Sequence, residues 1–489
     1  MGVIARQSLR SAVAICAGMA LGAVNTLYVL PRAFEGHEDL WGLVRVLVSW
    51  GAIASQVLTL GIPSAIIRFL PRYPEPERPQ VFTTLILFPA AAVAAAGLVL
   101  AVGGEAAVQR WGGEDADVMT GRVGYLFVMI VVFATAAVSR AAVITRLKAT
   151  TMAILEEPWL KGSYLALALA FGAGMLGFNA FLLAYVGTYV IYAGVLAAQA
   201  WANRIRLKLP LVTKDLKEVL GYSGFNLLTA GSAVIAQNLD YIMVGSYLGL
   251  AEVPRYSLAA FVGYVVSVPY RAAGSILTGV SADRMATQGP EGMRQLCRQS
   301  TRVNFALSLA VFVAIWAGYP AFERLLPPNY QGLEPVFIAI GLQQVISGSL
   351  GTVGPVIGFG PHYRRSLPIQ IGLLVMTVLT NHVCMQTFGW GLAGAAVATL
   401  FTAVWNFCWY TLLLWRLHRI HPFTWDLLRI GTVSAAAAVV FRVIPLPEMH
   451  ASIEAFGRGA LAGGTAIGLG LAWGAIPELR DAIRRTIGR

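Results

Sequence analysis

Val81-Phe-Thr-Thr-Leu-Ile-Leu-Phe-Pro-Ala-Ala-Ala-Val-Ala-Ala-Ala-Gly-Leu-Val-Leu-Ala-Val-Gly103 carries no charge, and the nearest charged residues on either side are Arg78 and Glu105. An α-helix of that length, rising 1.5 Å per residue, reaches across a hydrocarbon core about 30 Å thick. The run lacks the strict apolar/polar alternation of a membrane β-strand. A single helix also satisfies its own backbone hydrogen bonds where no water is available. The stretch therefore reads as a transmembrane helix.

Working outward, similar runs recur along all 489 residues. Crossings are predicted at 11–31, 42–64, 81–103, 121–142, 160–177, 179–200 and 221–248. Seven more are predicted at 256–279, 303–322, 334–357, 367–387, 390–415, 429–446 and 456–476. The composition agrees: the chain is 57% hydrophobic and 12% charged, about half the charged fraction of a soluble domain. The first run is long and ends in Leu30-Pro31 with no small-x-small site, so it is expected to stay as a span rather than be cleaved. Cys16, Cys297, Cys384 and Cys408 form no CxxC site or disulfide framework and read as packing residues.

The net charge of +12 reports orientation. Basic residues collect in alternate connections: Arg6 and Arg10; Arg68, Arg72 and Arg78; Arg140, Arg146 and Lys148; Asn203 to Lys217; Arg284 to Arg302; Arg364-Arg365; Arg416 to Arg429; and the tail Arg480 to Arg489. The intervening connections are acidic, as in Glu35-Gly-His-Glu38-Asp39 and Glu114-Asp115-Ala-Asp117. By the positive-inside rule the basic set is cytoplasmic, which puts both termini inside and makes the number of crossings even. No basic-aromatic module of a nucleic-acid reader is present. No Walker A loop, HExxH, GxSxG or paired intramembrane carboxylate occurs, and no connection is long enough to hold a catalytic domain, so an enzyme is not expected. No metal site and no catalytic residue are assigned.

The chain repeats itself. Asn25-Thr-Leu-Tyr-Val-Leu ends the first crossing and Trp41-Gly-Leu opens the second. Asp240-Tyr-Ile-Met-Val-Gly ends the seventh and Tyr256-Ser-Leu opens the eighth, with the same gap. Gly174-Met-Leu-Gly177-Phe reappears as Phe388-Gly-Trp-Gly391-Leu at nearly the same offset. The expected architecture is an all-α polytopic membrane protein of about fourteen helices, in which two six-helix bundles are related by pseudo-twofold duplication. The bundles are placed at 1–205 and 206–420, with two extra helices and a basic tail at 421–489. In such folds a substrate path runs between the halves, and alternating access comes from rocking of one half against the other.

Four segments carry a family likeness. They are Leu21-Gly-Ala-Val-Asn-Thr-Leu-Tyr-Val-Leu-Pro-Arg32, Gly61-Ile-Pro-Ser-Ala-Ile-Ile-Arg-Phe-Leu-Pro-Arg72, Leu216-Lys-Glu-Val-Leu-Gly-Tyr-Ser-Gly-Phe225 leading to Asp240, and Gly389-Trp-Gly-Leu-Ala-Gly-Ala-Ala-Val-Ala-Thr399. In these the chain resembles the polysaccharide-biosynthesis (O-antigen and repeat-unit) flippases of the multidrug/oligosaccharidyl-lipid/polysaccharide exporter superfamily. The resemblance is spread over nearly the whole chain and rests on no single diagnostic motif. It implies a two-bundle transporter in the bacterial cytoplasmic membrane, which would flip an undecaprenyl-pyrophosphate-linked oligosaccharide to the outer leaflet and work alongside a polysaccharide polymerase; a monomer is expected because the duplication supplies both halves of the path. The same superfamily holds cation-coupled drug exporters and peptidoglycan-precursor flippases, so the fold does not choose the cargo. A membrane-embedded glycosyltransferase or polymerase, and a non-transporting scaffold, are the readings from other classes.

A charge in the hydrocarbon region costs about 2.5–3.5 kcal/mol at a helix centre, so it faces a partner or a wet cavity. Asp240, Arg45 and Arg271 are the candidates. Asp240 shares a stripe with Asn226, Thr229 and Gln237, within roughly an 80° arc of one helix. It is expected to serve proton or sodium coupling or to order a cavity network; the bland alternative is a helix–helix hydrogen bond. Asn25 holds the duplicate position. Arg45 and Arg271 offer planar forks of donors to a pyrophosphate, against snorkelling or loop extension. Tyr185, Tyr189 and Tyr192 share one face of the sixth helix and suit sugar stacking, or simply pack. No cofactor is expected.

Overall fold

A computed structural model of the chain describes residues 3–111, 115–145, 152, 154–202, 208–209, 215–359, 363–444, 450–478 and 480. The sequence features at Glu114, Arg146, Lys148, much of Asn203 to Lys217, and the tail after Arg480 lie outside the described residues, as do the side chains of Arg6 and Arg10. Among the described residues there is no strand.

Fourteen principal helices follow in order: α1 (Val3–Val24), α2 (Glu38–Leu58), α3 (Arg78–Trp111), α4 (Val123–Ile144), α5 (Leu160–Gly172), α6 (Phe178–Ala202), α7 (Leu216–Leu248), α8 (Glu252–Val265), α9 (Val268–Glu323), α10 (Glu334–Ser349), α11 (Leu367–His382), α12 (Gly391–His418), α13 (Trp425–Val443) and α14 (Ala451–Ala472). Each predicted crossing contains helix among the described residues, with turns at 59–61 inside 42–64 and at 350–352 inside 334–357. Among the described residues, nine helical segments are long and apolar enough to cross a membrane unaided. The remaining predicted crossings fall on short or less apolar helices such as α5, α8 and α10. The protein is an all-helical, multi-pass membrane protein.

Two details depart from the sequence reading. The predicted eighth crossing, 256–279, is broken at Val266-Ser267, because Pro269 near the start of α9 lacks the N–H needed to continue the preceding helix. The basic stretch Arg284 to Arg302, expected as a loop, is helical except at Gly289 (φ 65°), which kinks α9 before Pro290. Prolines also explain two π-helical turns. Pro31 cannot bond back to Leu27, which lies within the turn Asn25–Val29, and Pro158 interrupts Leu155–Trp159 in the same way.

The helices group into two compact units, Met1–Pro254 and Arg255–Arg489. In the first, α4 packs on α6 and α2, and α7 packs on α2 and the short helix Ile62–Phe69. Glycine permits the α7 contact. Gly61 turns with φ 71° beneath the Ser223 carbonyl, and a Cβ on Gly42 would lie 1.9 Å from the Leu250 carbonyl oxygen. Asp115 secures the same end of α7 by accepting the Leu250 N–H at 2.8 Å. These contacts hold the seventh helix to the first unit, although the repeat pattern begins its second copy at 206. The boundary at 206 follows the repeat pattern expected from the sequence, whereas the units follow which surfaces touch.

In the second unit, α13 and α14 are fastened to α9. Gly318 and Gly459 bring backbones together: their Cβ atoms would lie 2.3 Å from the Ala455 oxygen and 2.9 Å from the Ala314 oxygen. Small residues permit this approach in place of a hydrophobic driving force that lipid does not supply. Charges clamp both ends. Arg302 on α9 pairs with Asp426 at 2.6 Å and bidentately with Glu478, with Nε at 3.1 Å from Oε2. At the other end Arg442 reaches Glu334 at 2.7 Å, and Glu454 joins Arg324 and Arg458. Replacing Arg302 with alanine should therefore cost roughly 3 kcal/mol, because two carboxylates are left facing each other without their cation. Thermal unfolding in a single detergent checks this, and an unchanged midpoint would show the clamp to be dispensable.

Candidate functional site

The first unit collects an arginine and a set of tyrosines inside the helical bundle. Arg45 lies seven residues into α2, about 10 Å along the axis from its start. Its guanidinium does not run out to the helix end. It lies over the Tyr241 ring, 3.9 Å from the centroid, and within electrostatic reach of the Tyr185 and Tyr189 side chains. Tyr241 follows Asp240 on α7, whose seating on α2 brings the ring to the arginine.

The tyrosines form a stack. Tyr164 on α5 packs against Tyr185 at 4.6 Å with nearly parallel rings, and Tyr189 lies 5.4 Å from Tyr164. Trp41 meets Tyr185 edge-on at 6.0 Å, and Phe133 meets Tyr189 at 5.0 Å. Tyr185 is buried and Tyr189 half-buried. Tyr192, on the same stripe, faces a different set of neighbours. Its hydroxyl donates to Glu156 at 2.8 Å, and Arg140 pairs with the same carboxylate oxygen at 2.9 Å. The stripe therefore divides between an arginine-facing pair and a charge cluster near the basic end of α4.

Among the described residues no carboxylate lies within ion-pair distance of Arg45. The balance of energies follows. A cation–π contact is worth about 0.5–2 kcal/mol, against up to about 2.5–3.5 kcal/mol to hold an arginine in a membrane helix. Arg45 is half-buried as a residue, with its guanidinium enclosed among the tyrosines. The arrangement can hold an anion while the aromatic rings keep the cation in place.

The α7 stripe does not act as one network. Asn226 donates to the Tyr222 carbonyl at 3.2 Å and Thr229 to the Phe225 carbonyl at 3.0 Å, each bonding back within the helix. Gln237 is exposed, whereas Asp240 is only 3% exposed. Asn25 opens the π-turn and is 6% exposed; its side-chain carbonyl oxygen has no hydrogen-bond partner among the described residues. Arg271 belongs to the second unit, exposed on α9 beside Tyr270, whose hydroxyl donates to Gln344 at 2.7 Å. Within the first unit Arg45, Tyr185 and Tyr189 are therefore brought together, and Tyr192 faces Glu156 and Arg140 instead. No group of three metal-ligating side chains occurs among the described residues.

Sequence reading missed Tyr164, Tyr241 and the charges of Glu156, Glu157 and Lys161. Glu157 and Lys161 pair one helical turn apart, facing α1, where Gly18 and Gly22 leave room for them. The four-residue Glu-to-Lys spacing was the available signal.

No protein-family model and no curated protein sequence matches the chain. Solved structures do match in fold. The lipid II flippase MurJ in its inward closed conformation aligns with a TM-score of 0.70 at 13% identity, over 98% of this chain and 99% of that one. A multidrug resistance MATE family transporter of the MOP superfamily aligns in its inward-facing form with a TM-score of 0.61 at 14% identity, over 83% of this chain and 96% of that one. The outward-facing form gives 0.53 at 17% identity, over 84% and 96%. The chain has the fold these transporters share.

Proposed function

We propose that this protein is a flippase that carries a lipid-linked oligosaccharide, joined to its polyprenyl lipid through pyrophosphate, from the cytoplasmic to the outer leaflet for surface polysaccharide assembly. It would sit in the bacterial cytoplasmic membrane with both termini in the cytoplasm. The observation that carries the reading is Arg45: a half-buried residue, held over Tyr241 with no carboxylate in ion-pair distance among the described residues, in a fold that solved transporters share. A guanidinium presents a planar fork suited to pyrophosphate oxygens. The Tyr185 and Tyr189 rings beside it are packed against Tyr164, Trp41 and Phe133 and hold the arginine's surroundings in place. Extent of likeness also favours lipid-linked cargo, because the flippase alignment includes α13 and α14 while the MATE alignments leave part of the chain uncovered. Alternating access by rocking of two bundles supplies the movement.

The experiment is to delete the protein and follow the lipid-linked pools. Accumulation of an oligosaccharide intermediate on the cytoplasmic leaflet with loss of surface polymer supports the proposal and identifies the glycan. Accumulation of peptidoglycan precursor with cell lysis redirects the cargo while keeping the flippase. Unchanged pools with new sensitivity to cationic compounds would replace the proposal by an ion-coupled exporter, the second reading, which the MATE-like fold and the buried Asp240 favour.

Under either reading Asp240 is the proposed coupling group, by proton or sodium. Asp240→Asn keeps the shape and removes the titratable charge. Transport by this variant should fall about tenfold or more and lose its dependence on pH or sodium. Normal transport across a pH and sodium series would remove Asp240 from coupling.

A further inference from the structure

We propose that an apolar groove between α3, α4 and α6 is a binding site for one acyl chain of an anionic phospholipid, drawn from the leaflet at the basic end of the helices. The groove has a volume of about 520 Å³ and is bordered by Phe82, Pro89, Ala134, Ser139, Ala197 and Trp201, among others. That volume falls within the range of about 300–1,000 Å³ typical of small-ligand sites.

Its origin is local. α3 carries the most apolar span described, with mean hydropathy 2.5, yet only 11% of that span is buried inside the protein. Beyond the groove, α3 closes on α4 through glycine: a Cβ on Gly97 would lie 2.6 Å from the Phe127 ring, and one on Gly104 the same distance from Val123. At its start α3 is anchored by Val81, Phe82 and Leu85 in the core. Between those anchors Pro89 interrupts the helical hydrogen bonds, and alanines at 90, 94, 134, 197 and 200 leave the space unfilled.

Position names the occupant. Along α3 the groove runs from Phe82 to Ala94, about 18 Å at 1.5 Å per residue, close to one leaflet's half of a hydrocarbon core about 30 Å thick. Its walls lie within three predicted crossings, so hydrocarbon chains are what reach it. Only Thr135 and Ser139 bring hydroxyls among the lining residues.

Charge names the headgroup. The Lys208 N–H donates to the Thr83 hydroxyl at 2.8 Å, which fixes this exposed lysine next to Phe82 at the groove's end. Trp201, at the same end, is 54% exposed and suits the interfacial level. Arg140 follows the lining residue Ser139 and is exposed beside its pair with Glu156. A headgroup above the chain meets cations, and an anionic one gains from them.

The test uses the full-length protein in nanodiscs of dioleoyl-phosphatidylglycerol and dioleoyl-phosphatidylcholine in equal amounts, followed by release and native mass spectrometry. Wild type should retain one phosphatidylglycerol per chain, at least fivefold over phosphatidylcholine. Ala90→Phe fills the groove from its lipid-exposed side and should reduce retention about tenfold with an unchanged unfolding temperature. Ala197→Leu, a milder filling, serves if the phenylalanine lowers that temperature. Lys208→Glu should abolish the headgroup preference. Equal retention in the filled and wild-type proteins would overturn the site, and so would displacement of the retained lipid by undecaprenyl phosphate, which would assign the groove to a polyprenyl chain. Neither result bears on Arg45, so the flippase reading stands or falls separately.

Discussion

Arg45→Gln should reduce transport at least about 100-fold while leaving abundance and unfolding temperature near wild type. The magnitude comes from hydrogen bonds to a charged partner, each worth about 1.5–3 kcal/mol. Losing two of them from a pyrophosphate removes about 3–6 kcal/mol, and every 1.4 kcal/mol is tenfold. Glutamine keeps a polar side chain of similar length, so the variant tests the charge and the donor fork rather than the space. Arg45→Lys keeps the charge but loses the planar fork and should recover part of the activity. Tyr241→Phe keeps the ring beneath the guanidinium and should stay close to wild type, whereas Tyr241→Ala should fall several-fold because the cation loses its support. The readout is the cytoplasmic-leaflet pool of the lipid-linked intermediate in complemented deletion cells. Normal pools with Arg45→Gln at normal abundance would take this arginine out of the substrate path.

Gly61→Ala should destabilise the protein by roughly 3 kcal/mol, far more than one added methyl group ordinarily does. Two penalties combine. Gly61 has φ 71°, a left-handed conformation that costs a residue with a Cβ about 1–2 kcal/mol. The added Cβ would also stand 2.1 Å from the Ser223 carbonyl oxygen and 3.1 Å from the Leu227 nitrogen. That neighbour is helix backbone, so α7 as a whole must withdraw, and overpacking of this kind costs about 1–3 kcal/mol. Gly103→Ala is the control, since a Cβ there meets nothing within 4 Å and φ is not positive; it should be neutral or slightly stabilising. A comparison of unfolding temperatures decides it. Equal behaviour of the two variants would mean that α7 can shift on the short helix Ile62–Phe69 without cost.

The legible part of the site was its charge. Arg45 and Asp240 stand out because the residues around them are apolar, and a charge inside a bilayer-length run must be explained whatever it touches. Tyr185 and Tyr189 were legible as a face of α6 but not as neighbours of Arg45, since that meeting depends on how α2 and α6 pack. Tyr164 and Tyr241 gave no signal: a single tyrosine near the end of an apolar helix is common, and only the opposing helix gives it a role. Of the stripe expected from Asn226, Thr229, Gln237 and Asp240, Gln237 is exposed and Asp240 buried, and Asn226 and Thr229 direct their hydrogen bonds to their own helix. Periodicity places side chains on one face without saying whether they turn outward or back to a carbonyl one turn away.

By itself, the sequence determined that this is a helical, multi-pass membrane protein and which long apolar stretches are helical. Run length, composition and the lack of water in the bilayer leave the backbone no other way to satisfy its hydrogen bonds. Only the tertiary structure decided that α7 is held by the first unit through Gly42, Gly61 and Asp115, that α13 and α14 are clamped to α9, and that Arg45 lies over Tyr241. Those outcomes depend on which glycine admits which carbonyl and which charge finds which partner. Such contacts join residues far apart in the chain, and no local pattern of hydrophobicity encodes them.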